Sequence, residues 1–110
     1  MNQIIYSKLK EVAQSERGLI YYSEIAPLVG LDMSSPSDRN MIADLLGDIS
    51  TNENAANRPL LSAVVVLKET HLPGKGFFTL AKDLGLYHGR DDLRFHLEEL
   101  DRVSRYWKNE

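Results

Sequence analysis

The sequence predicts a mainly helical α+β domain of winged-helix type, carrying a C-terminal helical extension. Three observations lead there. Apolar residues recur three and four positions apart in several stretches, which is the spacing of one helix face. The β-prone runs are few and short, with Leu19–Tyr22 and Leu60–Leu67 the clearest. The order is helix, short strand, short helix, turn, long helix, strand, loop, returning strand and two helices. Up to the first of those two helices, that is the order of a helix-turn-helix followed by a hairpin wing.

Each element has its own reason. Over 2–16, Ile5, Leu9 and Val12 share a helix face, with Lys8, Lys10 and Glu11 on the other sides and Gly18 as the stop. Leu19-Ile20-Tyr21-Tyr22 reads as a strand. Ser23 offers a cap to a short helix, 24–29, which stacks Ile25 on Leu28 and Val29 and ends at Gly30. Ser35-Pro36-Ser37-Asp38 is the clearest start: a capping hydroxyl, proline at the first helical position, and an acid in the first turn. It opens a helix over 36–50 that buries Ile42, Leu45, Leu46 and Ile49, with Met41 beside them, and fades in Ser50–Asn54.

The apolar, β-branched run 60–67 reads as a buried strand. Residues 68–75 form a loop turning at Pro73-Gly74. Gly76–Thr79 returns as a strand and runs into a helix over 79–84, stopped by Gly85. The last helix, about 90–108, sets Leu93, Leu97, Leu100, Ser104 and Trp107 on a stripe with Val103 adjacent. The 110 residues form a single domain, of which 86–110 are the extension.

Composition narrows the chemistry. Hydrophobic residues at 43% and charged residues at 26% are the balance of a globular chain, not a disordered one. Cysteine is absent, so disulfides, thiolate metal sites and thiol nucleophiles are excluded. The N-terminus lacks a basic stretch followed by an apolar segment. The longest apolar run, Leu60–Leu67, is too short for a membrane helix. A cytoplasmic location, no membrane partner and no cofactor are expected.

Charge is uneven along the chain. The net charge is −3. Residues 30–57 hold one arginine against Asp32, Asp38, Asp44, Asp48 and Glu53, whereas 58–81 hold Arg58, Lys68 and Lys75 against Glu69 alone. A broad basic footprint is absent, so nucleic-acid binding needs a local patch. Ser37, Arg39 and Asn40 lie at the exposed start of helix 36–50, and Arg and Asn are the types that read base edges. Lys68, His71 and Lys75 lie on the loop that a wing would use against phosphates. These six are the DNA-binding candidates. Asp44 and Asp48 on the same helix oppose them, and the bland alternatives are a solvated helix face and a plain turn.

Gly18-Leu19-Ile20-Tyr21-Tyr22-Ser23-Glu24-Ile25-Ala26-Pro27-Leu28-Val29-Gly30 resembles the helix-turn-helix entry of the DNA-binding lobe of alkylguanine-DNA alkyltransferases. The resemblance covers residues 18–49 and implies that Arg39 stands where that family has its base-displacing arginine. The family's Pro-Cys-His-Arg motif is missing. Leu61-Ser62-Ala63-Val64 stands there, so alkyl transfer, which needs a thiolate, is excluded. The whole chain, especially Arg58–Val66 and Pro73–Phe78, also resembles a group of short bacterial proteins with a winged-helix-like domain and no assigned activity.

Other constellations point to no enzyme. Gly74-Lys75-Gly76 lacks the spacing of a Walker loop. Ser62 has no nucleophile elbow around it. His88, Asp92 and His96 are spaced by four, but Gly89 interrupts them, and a surface ion pair is the plainer reading, so no metal is expected. In the last helix Phe95, Tyr106 and Trp107 are candidates for an apolar seam toward a protein partner or a second copy. The leading expectation is a non-enzymatic binding module for double-stranded DNA. The alternative is a protein-interaction or homodimerisation module.

Overall fold

In the computed structural model, which describes residues 1–109, Asn2 caps the first helix by accepting the Ile5 N–H at 3.0 Å. Helix α1 (Gln3–Gln14) buries Ile5, Leu9 and Val12, the face that the spacing predicts. Strand β1 (Ile20–Tyr21) leads straight into α2 (Tyr22–Ile25) and a 3-10 segment, Ala26–Val29. Ser23 therefore lies inside α2. The cap is at Tyr21, whose N–H is accepted by Glu24 at 3.0 Å. Gly30 ends the 3-10 segment at φ 73°, a left-handed conformation suited to glycine.

Ser35 caps α3 (Pro36–Ala55), its side chain accepting the Asp38 N–H. The helix does not fade near residue 50. It continues to Ala55 because Ser50 and Glu53, polar residues that look solvated in sequence, face the core. Ile42, Leu46 and Ile49 are buried as expected, Leu45 is half-buried and Met41 is exposed.

The apolar run after Pro59 is buried from Leu60 to Val66, with Leu67 exposed, and only Val65–Val66 is a strand, β2. Leu61–Val64 forms a 3-10 turn. The sheet has two strands paired in parallel, Ile20 opposite Val65 and Tyr21 opposite Val66. Gly76–Thr79 is not a returning strand. It lies in α4 (Lys75–Asp83), so the loop after β2 runs into a helix instead of closing a hairpin. Phe77 and Phe78 are both buried there, and their rings meet edge-to-face with centroids 5.3 Å apart. The fold is thus mainly helical with a small sheet.

Helix α5 (Asp92–Lys108) buries Phe95, His96, Glu99, Val103 and Trp107. That face is rotated away from the leucine stripe. Leu93 and Leu97 are each 56% exposed. The cause is the segment it covers. An irregular backbone threads the core at 58–64, and its polar groups need partners. Side chains from the flanking helices supply them. Glu99 accepts the Leu60 N–H at 2.8 Å, Ser50 Oγ accepts the Ser62 N–H at 3.1 Å, and His96 Nε2 donates to the Ala63 carbonyl at 2.8 Å. At its start, Arg58 Nε and Nη2 each donate to Glu53 at 2.9 Å, and the Tyr6 hydroxyl donates to the same carboxylate at 3.0 Å. Among the described residues no helix is long and apolar enough to cross a membrane.

Candidate nucleic-acid interface

Helix α3 has two flanks. On one, Arg39, Ala43, Leu46 and Gly47 face the start of α4 across a cleft of about 210 Å³. Tyr22, Met33, Ser62, Leu67, Gly74, Lys75, Gly76, Phe77 and Leu80 complete its lining. Among the described residues no carboxylate lines it. Arg39 is steadied by donating from Nη1 to the Met33 carbonyl at 3.0 Å, which ties it to the turn before α3. Among the described residues neither Arg39 nor Lys75 belongs to an ion pair.

The end of α4 adds to this field. Gly74 is its N-cap and supplies no side-chain acceptor, so the first turn presents backbone N–H groups and the positive end of the helix dipole. The Gly74 N–H itself is taken up by the Tyr22 hydroxyl at 2.9 Å. Burial raises the Tyr22 hydroxyl above its ordinary pKa, so it stays neutral beside the two cations. A side chain at Gly74 would bring its Cβ within 3.4 Å of that hydroxyl. At the floor, Ser62 and the fully buried Ser50 share a hydrogen bond of 2.6 Å between their hydroxyls. Among the described residues Ser62 has no histidine or carboxylate hydrogen-bonded to it.

The structure gathers some of the six candidates and parts others. Arg39 and Lys75 share the cleft. Ser37 and Asn40 are exposed on the outward face of α3 and do not line it. Lys68 and His71 lie against Tyr21. Lys68 Nζ is 5.9 Å from the ring centroid, and His71 Nε2 is 3.4 Å from the hydroxyl. Residue type alone does not mark Tyr21 and Tyr22 as site residues. The signal was available, because successive residues at a strand end point to opposite sides. Tyr21 reaches His71 while Tyr22 reaches Gly74.

Two of the three interface candidates of the last helix are corrected. Phe95 and Trp107 are only 7% and 8% exposed and belong to the core. Tyr106 is half-buried, its ring edge-on to Trp107 at 5.0 Å. Aromatic bulk went inward because α5 turns its Phe95–Glu99–Val103 side toward the 58–64 segment. The outward apolar residues are Leu93 and Leu97. His88, Asp92 and His96 do not gather. His88 is exposed, Asp92 accepts the Tyr87 hydroxyl, and His96 is buried against Ala63. Among the described residues no group of three or more His, Asp or Glu side chains is placed to hold a metal ion.

Compared with known protein families, with curated proteins and with solved structures, the chain has no match. The functional reading therefore rests on geometry and charge.

Proposed function

We propose that the protein is a non-enzymatic DNA-binding module that sets the α3–α4 cleft against the backbone of double-stranded DNA. One observation carries this reading. Arg39 and Lys75, 36 positions apart, line the same cleft, with no acid among the described residues of its lining. Two unpaired cations and an uncapped helix start favour a phosphate. The order α2, 3-10 segment, turn and α3 is that of a helix-turn-helix, and the resemblance of 18–49 to an alkyltransferase DNA-binding lobe points to the same helix. In this winged-helix-type reading, the loop between β2 and α4 takes the place of the hairpin wing. Asp44 and the net charge of −3 restrict contact to this side.

Fluorescence anisotropy with mixed-sequence duplex DNA tests the reading. Binding at low salt that weakens as salt rises supports it, with non-specific dissociation constants on the order of 10⁻⁶ to 10⁻⁴ M. Arg39→Ala is expected to weaken binding several-fold. Equal affinity for wild type and Arg39→Ala across several duplexes removes this role for the cleft.

A specific observation favours a second reading, the protein-interaction or homodimerisation module. Leu93 and Leu97 lie one turn apart on α5, more than half exposed, with Leu100 half-buried on the same stripe. Light scattering that shows a concentration-dependent dimer, abolished by Leu97→Ser, supports self-association. A monomer at high concentration rejects it.

A further inference from the structure

A second cationic cluster lies at the end of β1, outside the cleft. Its centre is the Tyr21 ring. The Arg17 guanidinium carbon is 5.0 Å from the ring centroid, Lys68 Nζ is 5.9 Å away, and the His71 ring centroid is 5.8 Å away. Three separate pieces of chain supply these groups: the turn after α1, β1 itself, and the loop after β2. His71 takes a left-handed backbone conformation, φ 57°, within that loop. The Leu67 carbonyl accepts the His71 N–H at 2.8 Å, and the Leu72 carbonyl accepts the Leu67 N–H at 2.8 Å. Lys68 and His71 are thereby presented on a closed loop.

The same loop borders the cleft. Leu67 and Gly74 line it, whereas Lys68 and His71, between them in sequence, lie against Tyr21. The cleft and the cluster are therefore neighbours separated by one loop.

Among the described residues, Glu24 is the carboxylate hydrogen-bonded within the cluster. It accepts from Arg17 Nη2 at 2.8 Å, from Arg17 Nη1 at 3.2 Å, and from the Tyr21 N–H at 3.0 Å. The Arg17 hydrogen bonds hold its carboxyl below the usual range, so it stays ionised. Arg17 is thus paired at hydrogen-bond distance, while among the described residues Lys68 is in no ion pair and acts on Glu24 only through its charge.

We propose that the Tyr21 cluster is a second contact to the DNA backbone, in which Lys68, with the Tyr21 hydroxyl and His71, receives a phosphodiester, and in which Glu24 restrains affinity by occupying Arg17. This rests on the DNA-binding reading above. The cluster offers an anionic oxygen a cation and the one donor that the hydrogen-bonded Tyr21–His71 pair leaves over, and its aromatic ring holds the cations in place.

The test is duplex anisotropy over a range of salt with wild type, Lys68→Ala, Glu24→Gln and Arg39→Ala. Lys68→Ala is expected to weaken binding several-fold and to reduce the salt slope by about 0.9, the loss of one phosphate contact. Glu24→Gln keeps an amide oxygen for the Tyr21 N–H but frees Arg17. It is expected to bind more tightly, with a steeper slope, an outcome that a purely structural Glu24 would not produce. If Lys68→Ala and Glu24→Gln match wild type while Arg39→Ala weakens binding, the second contact is wrong and the cleft stands. If wild type does not bind at low salt, both fail.

Discussion

The Glu99 carboxylate, on the last helix, accepts the backbone N–H of Leu60 at 2.8 Å, across 39 positions of sequence. Its other oxygen accepts from Arg102 Nε and Nη2 at 2.8 and 2.6 Å. Glu99 is only 3% exposed. It fastens α5 to the irregular segment in the middle of the core.

Glu99→Ala is expected to cost about 2–3 kcal/mol, because the buried Leu60 N–H loses its acceptor. Glu99→Gln keeps an acceptor there and should cost less. Urea denaturation of both variants checks this, and equal losses would show that the Arg102 pair, not the Leu60 contact, matters.

Arg58→Ala should be worse. It strips both guanidinium donors from Glu53, which is fully buried, and leaves the Tyr6 hydroxyl as its remaining side-chain donor. An uncompensated buried carboxylate costs about 3–5 kcal/mol. Tyr6→Phe removes only one hydrogen bond and should cost about 1 kcal/mol. Thermal melts of the two variants should differ accordingly.

Stability should fall as the solution is made acidic. Burial holds the His96 imidazole below its ordinary pKa of 6.5. Its Nε2–H donates to Ala63 without a charge being needed. Below about pH 6.5 the unfolded chain gains a proton at this residue that the folded chain resists, so unfolding is favoured as pH drops toward the folded pKa. His96→Gln keeps a donor and should flatten that part of the profile in urea titrations between pH 7.5 and 5.5.

The two sides of α5 should respond differently to truncation. Phe95→Ala is expected to cost about 3–5 kcal/mol as a buried aromatic. Leu93→Ser should shift stability by no more than about 0.5 kcal/mol, as an exposed position. Circular-dichroism melts that gave the reverse order would restore the leucine stripe as the core face.

Much of this architecture was legible in the sequence. Ser35-Pro36 marks the start of α3 because capping and the proline ring act within a few residues. Ile5, Leu9 and Val12 mark the buried face of α1 because their spacing is local. Sequence and structure diverge where long-range partners decide. Leu61–Val64 is apolar and β-branched in part, yet it is a 3-10 turn, because Ser50, His96 and Glu99 serve the backbone of the segment where a neighbouring strand would have done so. Glu53 and Glu99 look like solvated positions until that segment is seen between them. Phe77 and Phe78 suit a strand by propensity, but both are buried within α4.

The candidate site divides in the same way. Arg39 and Lys75 are each legible from residue type and from position on a helix start or loop. Their convergence depends on α3 packing beside α4, which spacing along the chain does not encode. Arg17 carries no motif, and Tyr21 enters only within the Gly18–Gly30 resemblance. Their proximity to Lys68 follows from the parallel pairing of Tyr21 with Val66, two residues before that lysine.

The most direct measurement of the central claim is anisotropy with one duplex, comparing wild type with an Arg39→Ala/Lys75→Ala double variant at low and near-physiological salt. The cleft account predicts that wild type binds and weakens with salt, and that the double variant loses affinity with a salt slope smaller by roughly 1.8, the loss of two phosphate contacts. Wild-type binding with an unchanged slope in the double variant, or no wild-type binding at low salt, would contradict it.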